Sequence, residues 1–94
     1  MEYNLQDLRS SLDSIDNAIV YLLAERFRVT HKVGLYKKAN GLPPVDESRE
    51  AAQFARIENM AKQAGLDPQF AAKMLRLIID DVVAHHKELA AKTR

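Results

Sequence analysis

One apolar stripe constrains this chain more than any other feature. Leu5, Leu8, Leu12, Ile15, Ile19, Leu22 and Val33 recur at helical spacing, and no proline interrupts them before the Asn40-Gly41 pair. With Asn4 as N-cap and Asp7 three residues on, the pattern predicts one first helix of roughly 35 residues. At about 1.5 Å per residue such a helix is about 52 Å long. A compact monomer of this size has a radius of gyration near only about 12 Å. The rest of one chain cannot cover that length, so the spacing predicts an intertwined homodimer in which association is part of folding.

Beyond Gly41 the punctuation is equally plain. "LPPV" reads as an ordered, extended linker, because proline cannot continue a helix and restricts the residue before it. Asp46 is placed to cap a second helix through about Ala64, with Gly65 as its stop. Asp67 and Pro68 supply an N-cap and a first-turn proline for a third helix to about Ala91. No strand pattern, internal repeat or low-complexity stretch competes. The expected fold is all-α, three helices per chain, with residues 1–94 as a single small domain.

Composition narrows the setting. Fourteen Lys and Arg against 13 Asp and Glu leave a net charge of +1, so no whole-molecule field argues for nucleic acid or an anionic membrane. There is no cysteine and no 18-residue apolar run, and the start "MEYNLQDL" is polar and acidic. These features lead to the expectation of a soluble, cytoplasmic protein.

Two cations break the first stripe. On a wheel of about 100 degrees per residue with Leu5 at zero, the apolar positions from Leu8 to Val33 span roughly 260 to 340 degrees. Arg26 falls near roughly 300 and Lys37 near roughly 320. Both therefore sit within the apolar face, about 16 Å apart along the axis, where they could lean over one bound anion. An uncompensated charge on a buried face is costly, so something negative must meet them. Glu50 lies on the line of Phe54, Ile57 and Ala61, which turns a carboxylate toward the second helix's apolar face, with Arg49 beside it. One carboxylate cannot neutralise three cations. Arg9 falls roughly 100 degrees from Arg26, so it reaches a pocket in a partner subunit more easily than its own. The set Arg9, Arg26, Lys37 and Arg49 with Glu50 resembles a water-poor receptor for a small di-anion that also carries a hydroxyl.

Other readings compete. Long cationic side chains snorkel, and dimers contain structural ion-pair networks, which periodicity alone does not separate from a receptor. Arg26, Arg28, Lys32, Lys37 and Lys38 scatter around the wheel instead of forming a stripe, which argues against nucleic acid. His85 and His86 are adjacent on a helix, diverge by about 100 degrees and cannot chelate one metal together. The apolar arc of the third helix, from Phe70 through Met74, Leu75, Leu77, Ile78, Ile79 and Val82, includes both histidines and leaves open which one faces inward. His31, on the polar side of the first helix, is expected to be solvated.

The segments "LRSSLDSIDNAIVYLLAERFRVTHKVGLYKK", "PPVDESRE" and "LIIDDVV" resemble the all-helical class of chorismate mutases, over nearly the whole chain. The specific part is the combination of "LR", "LLAER", "VGxxK" and "RE" at matching separations. The resemblance implies an intertwined dimer of three-helix chains that rearranges chorismate to prephenate without cofactor, metal, covalent intermediate or proton transfer. In that reaction a carbon–oxygen bond breaks and negative charge grows on the ether oxygen, so the protein contributes restraint and fixed donors. The resemblance further implies that Arg26, with Arg9 from the other chain, grips the substrate carboxylates. Lys37 would donate to the ether oxygen and Glu50 would receive the ring hydroxyl, with Arg49 in support. Asp46 matches a loop position near that hydroxyl.

Two positions depart from the family pattern. The frequent glutamine, a second donor to the ether oxygen, aligns with His86, and a serine near a carboxylate aligns with Val82. Imidazole donates through one nitrogen and imidazolium donates more strongly, so the expected activity survives the exchange but depends on the protonation of His86. Loss of the hydroxyl at Val82 implies looser substrate binding. Two alternatives remain: a lyase of the same fold that eliminates pyruvate from isochorismate, and a catalytically silent helical dimer that binds a metabolite of the aromatic pathway. Glu50 and the "RE" pair favour the mutase.

Overall fold

Local capping chemistry sets every helix boundary in the structure, a computed structural model that describes residues 2–92. Asn4 Oδ1 accepts from the backbone N–H groups of Gln6 (2.8 Å) and Asp7 (3.3 Å), opening helix α1, Leu5–Ala39. At the other end Gly41 takes φ 67°, which lets its N–H reach the Lys38 carbonyl and the Leu42 N–H reach that of Lys37 at 2.8 Å. This paired closure satisfies carbonyls that the helix leaves open, and it favours glycine because the backbone is left-handed.

Helix α2, Glu47–Ala64, repeats the scheme: the Asp46 carboxylate accepts from the Arg49 N–H at 3.1 Å, and Gly65 at φ 78° closes the far end. Helix α3, Pro68–Ala91, opens on Asp67, whose Oδ1 accepts from the Gln69 N–H at 2.9 Å, with proline in its first turn. The described residues are all-helical outside turns and loops, as the sequence predicts, with boundaries where the caps place them.

The chain comprises two compact units, Met1–Thr30 and His31–Arg94, and α1 continues as one helix from the first into the second. In the first unit the predicted stripe carries no cover: Leu5, Leu8, Leu12, Ile15, Ile19 and Leu22 are 43% to 69% exposed. In the second unit α2 packs on α3, and the core consists of Ala61, Ala71, Leu75, Ile78, Ile79 and Leu89. His86 joins that core.

The structure narrows the broad apolar arc of α3. Ala71, Leu75, Ile78, Ile79, His86 and Leu89 face inward, whereas Phe70, Met74 and Leu77 are exposed. Gly34, in the last third of α1, is buried against α3: a Cβ there would lie 2.6 Å from His86 Cδ2 and 2.8 Å from Leu89 Cδ1. The absence of a side chain at Gly34 is what leaves room for the His86 and Leu89 side chains of α3 to reach the α1 backbone there.

Candidate active site

Lys37 lies in the last turn of α1, and the turn that follows brings the linker back toward it. Its ammonium donates to the Pro44 carbonyl at 3.1 Å, and the side chain is half-buried. Pro43 and Pro44 fix their own φ angles and have no N–H, so this stretch presents acceptors without competing donors. A hollow of about 440 Å³ opens here, lined by Lys37, Leu42, Pro43, Val45, Asp46 and Glu47. That volume suits a small organic ligand.

The structure thus brings Lys37 and Asp46 together. Asp46 Oδ1 is occupied by the cap to the Arg49 N–H, and its carbonyl accepts from the Glu50 N–H at 3.0 Å, which fixes the first turn of α2 against the linker. The Arg49 side chain is exposed.

Glu50 differs from the sequence reading, which made it a partial counter-charge for Lys37, Arg26 and Arg49. Its carboxylate, 20% exposed, instead lies 3.6 Å from Arg76 Nη1 on α3. The same nitrogen bonds Asp80 Oδ1 at 3.3 Å, and the guanidinium sits 4.6 Å from the centroid of the Phe54 ring. Arg76 is a residue that sequence reasoning missed. Its spacing to Asp80 signals an ordinary helical surface pair, and nothing local reveals that α2 delivers Glu50 to the same guanidinium.

Arg26 is half-buried and Arg9 exposed, both within the first unit. Among the described residues, no carboxylate lies within ion-pair distance of Arg9, Arg26, Lys37 or Arg49. Among the described residues these cations thus have no acidic partner, and Lys37 rests on a neutral acceptor. A half-buried ammonium so placed can turn to an oxygen that develops negative charge.

On α3 the structure resolves the ambiguity between the adjacent histidines. His86 is 4% exposed, with its Cδ2 and Nε2 edge against Gly34. Val82 is half-buried one turn earlier. His85 sits at the margin, where its Nε2 shares a 2.8 Å hydrogen bond with Nδ1 of His31. The expectation of a merely solvated His31 is thus corrected: although exposed, it bonds a residue of another helix, a contact that a wheel drawn on one helix cannot display. Among the described residues, no group of three or more His, Cys, Asp or Glu is placed to hold a metal ion.

Known proteins resemble this chain over nearly its whole length. The chain is 30% identical over 90 residues to the chorismate mutase of Methanocaldococcus jannaschii, covering 96% of this chain and 91% of that protein. It is 32% identical over 89 residues to the T-protein of Haemophilus influenzae, covering 95% of this chain but 24% of that protein. It is also 31% identical over 88 residues to the bifunctional chorismate mutase/prephenate dehydratase of Escherichia coli, covering 94% of this chain and 23% of that one. The chain thus spans about a quarter of the length of the two longer relatives. The family model for chorismate mutase type II matches residues 8–87, and with that match the chain belongs to the chorismate mutase type II family.

Proposed function

We propose that this chain is a chorismate mutase, an isomerase that rearranges chorismate to prephenate on a three-helix scaffold. The observation that carries the reading is Lys37: a half-buried ammonium on a hollow of about 440 Å³ whose resting partner is a neutral carbonyl. Family membership and the chorismate mutase names of relatives support the substrate.

In this reading one carbon–oxygen bond of chorismate breaks as one carbon–carbon bond forms, and no proton is gained or lost. Lys37 donates to the ether oxygen as charge accumulates there, a contribution larger in the transition state than in the ground state. His86 is the second donor. Arg26 and Arg9 of the partner subunit bind the two carboxylates and hold the substrate in its reactive shape, which removes entropy before the barrier. Glu50 accepts from the ring hydroxyl, Asp46 fixes the adjacent backbone, Arg49 adds positive potential, and Val82 gives an apolar wall where relatives place a hydroxyl. No cofactor or metal enters any step.

The functional unit in this proposal is a homodimer, supported by the uncovered stripe of α1 and by Phe70, Met74 and Leu77 on α3. No helix among the described residues is long and apolar enough to cross a membrane.

The test is product identification. Purified protein is incubated separately with chorismate and isochorismate. Prephenate from chorismate is expected, with a loss of about 100-fold or more in kcat for Lys37→Ala. Salicylate plus pyruvate from isochorismate alone would assign the lyase instead, and binding without any product would assign a silent metabolite-binding dimer.

A further inference from the structure

Glu50 poses an electrostatic problem that the reaction itself does not solve. Its carboxylate lies on α2 one turn beyond Asp46 and Glu47, which line the hollow of Lys37. A long, flexible carboxylate one turn along the helix from a hollow that holds an ammonium would gain by swinging onto it, and that ion pair would silence both the donor and the acceptor. The structure shows a different outcome: Lys37 rests on the Pro44 carbonyl, and Glu50 lies beside Arg76.

We infer that Arg76 is a positioning residue for Glu50, holding its carboxylate on the α3 side so that it stays available to the substrate hydroxyl and away from Lys37. Three observations fit together. First, the guanidinium is itself held, by Asp80 at 3.3 Å along its own helix and by the face of Phe54 at 4.6 Å. A planar cation seated on an aromatic ring loses freedom that a lysine in the same place would keep. Second, the hydrogen bond of Arg76 goes to Asp80, whereas Glu50 at 3.6 Å receives charge without a hydrogen bond. Both Glu50 oxygens therefore retain their capacity to accept from a hydroxyl. Third, Phe54 and Glu50 lie four residues apart on one face of α2, so the ring that seats Arg76 also sets its reach to the carboxylate.

This inference rests on the proposed mutase activity and deepens it, and the experiment separates the two. Wild type, Arg76→Ala, Arg76→Lys, Glu50→Gln and the double variant Arg76→Ala with Glu50→Gln are assayed with chorismate and with an analogue that lacks the ring hydroxyl. Circular dichroism checks that each variant keeps its helices, which Arg76, half in solvent, makes a fair expectation. Arg76→Ala is expected to lose about tenfold in kcat/KM for chorismate, mainly through KM, with little change for the analogue. Arg76→Lys should recover part of the loss, and the double variant should be no worse than Glu50→Gln alone, because the two side chains act in series. Equal losses for both substrates, or additive losses in the double variant, would overturn the positioning role while leaving the mutase reading intact. No turnover by wild type would overturn the mutase reading, and this inference would fall with it.

Discussion

His86 shows how a single side chain can be half legible. Its alignment with the family's frequent glutamine is visible in the sequence, but its direction is not, because the apolar positions of α3 spread widely enough to admit either His85 or His86. The choice is made by Gly34, more than fifty positions earlier, whose missing side chain leaves room for the imidazole edge. In the proposed reaction this buried ring is the second donor to the ether oxygen, a role that needs only one N–H. We expect His86→Gln to keep activity and His86→Ala to lose about tenfold or more in kcat, since an amide donates a hydrogen bond that a methyl group cannot. Turnover of these two variants beside wild type decides it: an unchanged kcat in His86→Ala would remove His86 from the chemistry. Arg76 was hidden for a similar reason. Its partner along the helix is evident from spacing, whereas Glu50 and Phe54 reach it through the tertiary fold.

The helices themselves were almost wholly readable, because their ends depend on neighbours in sequence. Asn4, Asp46 and Asp67 accept from N–H groups two or three residues on, and Gly41 and Gly65 adopt the left-handed backbone that ends α1 and α2. What no local pattern gives is the contact between α1 and α3. Gly34→Ala tests it, since two effects of opposite sign compete. Alanine improves helix propensity by about 1 kcal/mol. Its methyl, however, would meet two buried side chains at 2.6 and 2.8 Å, one of them a rigid ring. Overpacking of that kind costs about 1–3 kcal/mol, so a net loss of stability is expected. Urea denaturation should show a lower midpoint for Gly34→Ala and partial recovery when His86→Ala opens space beside it. A midpoint above that of wild type would mean that α3 simply moves aside.

For the protein taken entire, the exposed stripe of α1 is the governing fact. Six large apolar residues spaced along one face, each 43% or more exposed, form a surface that soluble proteins seldom leave open. The sequence expected this from length alone, and the proposed homodimer follows from it. Arg9 turns that proposal into a functional assay. Arg9→Ala and Lys37→Ala proteins, each inactive alone, should regain activity on mixing, because a heterodimer rebuilds one intact site from two damaged chains. Random exchange of equal amounts predicts roughly a quarter of wild-type turnover. No recovery after subunit exchange has been verified by mass would place Arg9 and Lys37 in service of the same chain. The resting contact of Lys37 adds a last consequence. Its acceptor is a main-chain oxygen seven positions downstream, so replacing side chains in the intervening stretch leaves the acceptor atom itself in place. Adding or deleting one residue there shifts it. Natural variation and engineering alike should therefore find this connection permissive in spelling but strict in length.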